Sequence, residues 1–567
     1  MSTRNSTRTT VSASAAGSSS AIDRRSFVSG AIAAGTLAAT ATTFAGEALA
    51  EEASAAESDA EEQAELVPAE IVDADVVVVG CGVAGISAAT AAAETGASVV
   101  VFDPAVGVIG TNAVNTVGIY GVGNPDDVYA HFDAMTAESN YMLPNAFLMN
   151  YLRTIDSVMG RYIEKGMTVM PSQSEIPTEE NPGYHGAGSI VGTYSYILLT
   201  RGLDRAGEYE AMLASYPGID QRWEHTVKQL VIDADGRVTG VLAVDAEGRV
   251  VQANARGGVV VCTGGFIHNA EMVDRYMGGV TVYSFAHEHN DGAGITLAQS
   301  AGAQLGKNFA LNLSEGGGLN HKSNEFNTSL FGTRGISRSP LIGDVILNRR
   351  GERFVDEAVM VQKTAMFCSE AFTREGGTFY TVMSQKTMDA LAGESIIQYC
   401  QDAFGYTMEH PIMAMFFAEP LSSIAEDAQA AADEGWCWKG ATFAELEEAS
   451  GLTGLAATME RYNGFCAAGL DEDLHKDPAF LQPYDESDGP FYLIEHDLSA
   501  WTTQGGVIID GNCRALSHGR TVIEGLYVAG TDADDNMVPY KFAGTCQGFS
   551  IGSGAIAGKH AAERALA

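Results

Sequence analysis

The stretch from Ala74 to Asp103 restricts this chain more than any other. Ala74–Val79 is an unbroken run dominated by valine, the pattern of a parallel strand buried on both faces. Gly80-x-Gly82-x-x-Gly85 follows without a gap. Ile86 to Glu94 reads as an Ala-rich helix ending near Gly96, and Ser98 to Phe102 as a second strand with Asp103 at its end. Strand, glycine turn, helix, strand and acid in this order make the full dinucleotide fingerprint. Gly80 permits the tight turn, Gly82 lets backbone approach a pyrophosphate, and Gly85 lets helix and strand pack closely. The helix N-terminus, carrying Val83 and Ala84, offers N–H groups to phosphates. Asp103, followed by Pro104, is placed to accept hydrogen bonds from ribose hydroxyls.

The chain has 567 residues, enough for two large lobes or for one nucleotide-binding domain with a big insertion. Hydrophobic residues are 46% and charged residues 19%, so a sizeable core can be buried. A formal net charge of -39 repels phosphate backbones, which argues against nucleic acid and against anionic lipid as partners. The eight cysteines include no C-x-x-C pair and no haem-attachment motif, so metal-ligand clustering is absent from the sequence. Isolated cysteines of this kind read as small core residues.

The first fifty residues read as an address. A polar stretch leads to Asp23-Arg24-Arg25-Ser26-Phe27, then to a mildly apolar run from Ala31 to Ala45, and it ends at Ala48-Leu49-Ala50. The run is too short and too weakly hydrophobic for a membrane span, and the ending is a small-x-small cleavage pattern. The paired arginines make 1–50 resemble a twin-arginine signal peptide. That implies export with cofactor already loaded, to the periplasm or the outer face of the envelope, with no direct membrane insertion. Residues 51–70 hold eight acidic residues and no basic one, the composition of a disordered linker. The folded part is expected from about Ile71.

Three further features choose among dinucleotides. Gly525-Leu526-Tyr527-Val528-Ala529-Gly530-Thr531-Asp532 near the C-terminus pairs with the N-terminal fingerprint. Gly257–Phe266 reads as a strand ending in the turn Thr263-Gly264-Gly265. A hairpin-like stretch, Val227–Ile232 and Val238–Val244, lies between. This layout resembles the FAD-binding flavoproteins of the fumarate reductase and succinate dehydrogenase type, which include urocanate reductases and ketosteroid dehydrogenases. The resemblance implies an α/β fold: a Rossmann-like FAD-binding domain (71–315 and 490–567) with an inserted α+β cap domain (316–489). It also implies further FAD contacts at Thr111 and Asn112, Val227, Thr263 to Gly265, Asp291, Gly530 to Asp532, and Gly548, Ser550 and Ile551, which open the C-terminal helix. No histidine stands beside Thr111, so the implied FAD is non-covalent.

On the substrate side, Asn348–Glu357 matches the family's Asn-Arg-x-Gly-x-Arg-Phe-x-(Asn/Asp)-Glu run. Three departures follow. Val361 stands where fumarate reductases carry a proton-donating arginine, Trp501-Thr502-Thr503-Gln504-Gly505-Gly506 replaces a histidine-bearing carboxylate grip, and Thr545 replaces a third arginine. A dicarboxylate needs charge-assisted donors, so fumarate is not the expected substrate. Trp501, Gln504, Gly505 and Thr545 are the expected substrate contacts, and Trp501 points to an apolar or aromatic compound. Tyr540 is either a proton donor or a half-buried aromatic with a satisfied hydroxyl. His185 and Arg338 are the other catalytic candidates; each is otherwise a structural or solvated side chain.

These readings imply an exported reductase that passes hydride from FAD to an activated C=C bond. Electrons would come from a separate extracytoplasmic donor such as a cytochrome or FMN protein, since no second dinucleotide fingerprint is visible. A ketosteroid-type dehydrogenase working in the oxidative direction, or a flavin relay without catalysis, fits the same residues.

Overall fold

The apolar run that opens the fingerprint is the central strand of a sheet. In this computed structural model the described residues are 66–110, 114, 118–123, 125–138, 145–171, 196–198, 204–284, 286–313, 320, 322, 335–362, 369–406, 417–534 and 544–567. The signal-like segment, nearly all of the acidic stretch, and Thr111, Asn112, His185 and Tyr540 lie outside them. The labelled elements, in chain order, are β1 (Glu70–Val79), α1 (Val83–Glu94), β2 (Val99–Phe102), β3 (Ile219–Arg222), β4 (His225–Ile232), β5 (Val238–Asp245), β6 (Val250–Val261), β7 (Val282–Ser284), α2 (Ala293–Ser300), β8 (Ala310–Leu313), β9 (Val345–Leu347), β10 (Thr378–Ser384), β11 (Cys437–Gly440), β12 (Phe491–Gln504), β13 (Arg514–Leu516), β14 (Val522–Val528) and α3 (Thr545–Leu566).

The first sheet has eight strands, in the order β13-β14-β6-β1-β2-β3, with the β4–β5 hairpin attached through β5 to β6. β1 runs parallel to β2 (Val76 beside Val99, Val78 beside Val101) and to β6 (Val77 beside Val259). β14 and β3 extend the parallel core on either side. Both faces of β1 are covered, which is why its sequence shows no alternation. The expected hairpin is present, pairing Thr226 with Val244 and Leu230 with Val241. Helix α1 begins at Val83 rather than Ile86, because Gly82 in extended conformation serves as its N-cap.

The second sheet has six strands built around β12, all fourteen of whose residues are buried. β12 pairs in parallel with β7 and antiparallel with β8, β10 and β11, and β9 adds to β10. It is wider than the 316–489 segment expected to form a cap, since β7 and β8 precede that segment and β12 follows it. A small third sheet joins Gly118–Ile119, Tyr196–Leu198 and Val169–Pro171. Buried apolar side chains form one cluster between the first sheet, α1 and α3, and two more around the second sheet.

Helix α3 packs on α1 through glycines. A Cβ at Gly554 would lie 2.1 Å from the Ala84 carbonyl oxygen, and one at Gly558 would lie 2.1 Å from that of Ala88. The helix starts at Thr545, one turn earlier than the expected Gly548, because Gly544 takes a left-handed conformation (φ +81°) before it. The described cysteines, all but Cys368, form no disulfide. No helix among the described residues is long and apolar enough to cross a membrane.

Candidate nucleotide site

Parallel strands end together, and the loops that leave them bound a crevice where α/β folds bind ligands. Here Val79, Phe102 and Cys262, at or just past the C-terminal ends of β1, β2 and β6, line a cleft. Gly80 turns the chain at φ +95°, and its N–H donates to the Phe102 carbonyl at 2.8 Å. A Cβ on Gly80 would sit 2.4 Å from the Cys262 carbonyl oxygen, and one on Gly85 would sit 1.9 Å from that of Gly80. Gly85 therefore packs helix against turn and stays outside the cleft lining. A Cβ on Gly82, by contrast, would meet nothing within 4 Å. That open space lies before the first turn of α1, which has no side-chain cap and no acidic residue. Backbone donors without competing acceptors, facing room that a side chain would fill, fit the diphosphate of a dinucleotide.

Asp103 is on the lining. Its two oxygens accept the Cys81 N–H at 2.6 Å and the Ala105 N–H at 2.9 Å. One lone pair on each oxygen remains for ribose hydroxyls. Burial raises the carboxyl pKa; the two backbone N–H groups and the nearby His289 and His287 oppose that rise.

The Thr263–Gly264–Gly265 turn is held from behind. The fully buried Asp532 accepts the Thr263 N–H, the Gly264 N–H at 3.1 Å and the Thr263 hydroxyl at 3.2 Å. Burial pushes its carboxyl pKa up to about 7 despite these donors. On the other side of the turn the Asn290 amide oxygen accepts the Gly265 N–H and the Thr502 hydroxyl, each at 3.1 Å. A Cβ on Gly265 would come within 2.3 Å of the Thr503 hydroxyl, so this glycine marks where the second sheet meets the first. The Thr263 hydroxyl also accepts the Gly294 N–H at 2.9 Å, and Asp291 accepts that of Ala293 at 2.9 Å, capping α2.

The cleft thus gathers Gly80, Gly82, Val83, Ala84, Asp103, Pro104, Val227, Thr263, Gly264, Asp291, Gly530, Thr531 and Ser550 from the residues expected to bind cofactor. Gly85, Gly265 and Asp532 stand behind it as supports. Gly548 faces Tyr151, whose hydroxyl oxygen would lie 2.4 Å from a Cβ there, and the Ile551 carbonyl accepts the Ser87 hydroxyl at 2.7 Å. Sequence reading missed His225, Thr226, Cys262, His287, His289, Asn290 and Thr502, all on the lining. His287–Asn290 directly precede the Asp291-Gly292 turn, which was the available signal.

The expected substrate contacts Trp501, Gln504, Gly505 and Thr545 are not among the residues lining this cleft. Trp501 and Thr545 are buried, as is Val361. Gly505 has φ +95°, and a Cβ there would lie 2.3 Å from the Asn308 carbonyl oxygen. Gln504 is wholly buried, and neither its amide nitrogen nor its amide oxygen finds a partner among the described residues. Arg338 lies in the 335–341 turn with its guanidinium 5.6 Å from the centre of the Phe417 ring, its pKa depressed by burial. The Asn348–Glu357 run serves the fold: Arg353 bonds to Glu357 at 2.7 Å and to Asp471 at 2.8 Å, with all three side chains buried.

Residues 75–548 match the family described as FAD binding domain. A vinyl phenol reductase of Lactiplantibacillus plantarum is 28% identical over 396 residues, covering 67% of this chain and 76% of that protein. An NADH:acrylate oxidoreductase of Vibrio harveyi is 29% identical over 53% of this chain, which spans 26% of that protein. A 3-oxosteroid 1-dehydrogenase of Mycolicibacterium smegmatis is 28% identical over 52% of this chain and 51% of its own length. Among solved structures, a 3-ketosteroid delta1-dehydrogenase from Sterolibacterium denitrificans superposes with a TM-score of 0.64 at 19% identity, covering 87% of this chain and 99% of that one. A flavocytochrome c3 fumarate reductase superposes at 0.57 and 20% identity, covering 88% and 79%.

Proposed function

The chain belongs to the FAD binding domain family, and from that premise we propose that it reduces the activated C=C bond of a small apolar or aromatic substrate. It is an FAD-dependent oxidoreductase acting on CH–CH bonds, the class that its reductase and dehydrogenase relatives share. The observation that carries the finer reading is the loss of charged side chains at three substrate-side positions. Val361 lies in the apolar cluster of the second sheet, Trp501 stands buried on β12, and Thr545 begins α3. None of them can pair with a carboxylate as arginine does. The vinyl phenol reductase, matched over two thirds of this chain, acts on a substrate of the proposed kind.

FAD, when bound, supplies the hydride chemistry. The residues of the chain hold and tune it. The α1 N-terminus and the Thr263–Gly264 turn receive the diphosphate, and Asp103 receives the ribose. The α3 N-terminus, which has no side-chain cap and no acid in its first turn, favours negative charge at the flavin ring. Trp501 and Gln504 orient the substrate, and Tyr540 gives the proton to the substrate carbon opposite the hydride. Arg338 and His185 are the alternative proton donors. FAD is held non-covalently by the first sheet with α1 and α3, and the second sheet, which takes in β7, β8 and β12 as well as strands from 316–489, covers the substrate. The twin-arginine-like segment delivers the loaded protein outside the cytoplasm, where a cytochrome or FMN protein supplies electrons.

The 3-oxosteroid dehydrogenase relatives favour one second reading, desaturation of an apolar ring ketone. Replacing Trp501 by Ala separates an aromatic site from a small-acid site. It is expected to lower kcat/KM for a vinyl phenol by about 10- to 100-fold through lost packing area while changing acrylate turnover little. Equal losses on both compounds contradict the aromatic reading.

A further inference from the structure

Among the described residues that line the cleft there is no lysine and no arginine, while Asp103 and Asp291 add negative charge to its wall. A dinucleotide brings a diphosphate into this acidic surrounding, inside a chain of net charge -39. Backbone N–H groups at α1 contribute only partial charge. Three histidines stand in the same wall: His225 at the start of β4, and His287 and His289 on the loop before α2. The His287 and His289 rings lie 4.8 Å apart between centroids at an interplanar angle of 40°. The backbone N–H of His289 donates to His287 Nδ1 at 3.4 Å.

Resting on the FAD-binding reading, we propose that His287, its ring packed against that of His289, acts as a protonation-dependent clamp on the adenosine diphosphate half of the bound cofactor. Burial, and then His289, hold His287 below the ordinary imidazole range, and His268 acts in the same direction; Glu288 and Asp103 favour its charged form. His225 and Asp291 share the cleft lining with the pair. A diphosphate arriving beside the His287 ring favours its imidazolium, so binding takes up protons. FAD affinity therefore rises as pH falls through the pKa of the bound state, and it levels off below the depressed pKa of the free state. Asp532, whose carboxyl burial pushes up to about 7, titrates over the same interval behind the Thr263–Gly264 turn.

The test uses the full chain with FAD bound. Its dissociation constant is read on dilution, from the rise in free-flavin fluorescence, at about pH 6 and about pH 8.5. The wild type is expected to bind roughly tenfold more tightly at the acid pH. The double variant His287→Asn, His289→Asn is expected to lose most of that ratio. ADP used as competitor should follow the wild-type dependence, and riboflavin should not. The same ratio in both proteins, or no ratio in the wild type, overturns the clamp. If the double variant does not fold, ADP binding to the wild type in two buffers of different ionisation enthalpy decides the matter, because the clamp requires proton uptake and its absence overturns it. A chain that holds no flavin at either pH overturns the FAD reading itself, a separate result from holding flavin without pH dependence.

Discussion

At Gly80 two constraints fall on one residue: φ is +95°, and a Cβ would lie 2.4 Å from a backbone carbonyl that cannot step aside. Gly80→Ala is therefore expected to cost about 2–4 kcal/mol, seen as a lower unfolding midpoint together with weakened FAD retention. Gly82→Ala meets open space in the FAD-free chain, so it should leave stability nearly unchanged and weaken FAD alone. Asp532 yields a pH prediction. Its folded-state pKa is raised from 3.8 to about 7, so the folded state holds a proton that the unfolded chain has released in that interval. Its contribution to stability is full below about pH 4, declines as pH rises toward 7, and is flat beyond. Asp532→Asn keeps one acceptor oxygen for the Thr263 and Gly264 N–H groups and cannot ionise. The wild-type minus variant difference in Tm should fall across that window; a difference that stays constant contradicts the assignment. Glycines and acids of the fingerprint were legible because their roles follow from local turns. His225, His287 and His289 were not, because only tertiary folding brings their loops to the cleft.

At the scale of elements, the α1–α3 contact ties the two ends of the described chain together. Both helices are rich in small residues, and Gly554 and Gly558 let backbone meet backbone. Gly558→Ala would press a methyl to 2.1 Å from the Ala88 carbonyl oxygen, so the helices must separate; about 2–3 kcal/mol of stability is expected to go, measurable by urea unfolding. The strands of the first sheet could be read from sequence because burial on both faces leaves unbroken apolar runs. β12 could not be read in the same way. Its fourteen buried residues include Glu495, His496 and Asp497, whose burial depends on partners distant in sequence. Asp497 accepts the Thr378 hydroxyl at 2.7 Å, and His496 Nε2 lies 2.9 Å from the Thr381 hydroxyl. Burial depresses the His496 pKa to about 3, so this imidazole stays neutral and belongs to the fold. The conspicuous Asn348–Glu357 motif is likewise structural through Arg353, a role that required Asp471 from much later in the chain.

On the scale of the whole molecule, a nucleotide-binding sheet and a second sheet meet where Gly265 touches Thr502 and Thr503. This junction places Thr502 and Thr503 of β12 next to the turn that lines the nucleotide cleft. The most direct measurement takes the chain without residues 1–50, reduces its flavin anaerobically, and follows the visible spectrum as a vinyl phenol, acrylate, fumarate or a 3-oxosteroid enone is added. The expected result is a bound-flavin spectrum that reoxidises with the vinyl phenol and not with fumarate. Reoxidation by fumarate in preference, or a flavin left reduced by every compound, contradicts it.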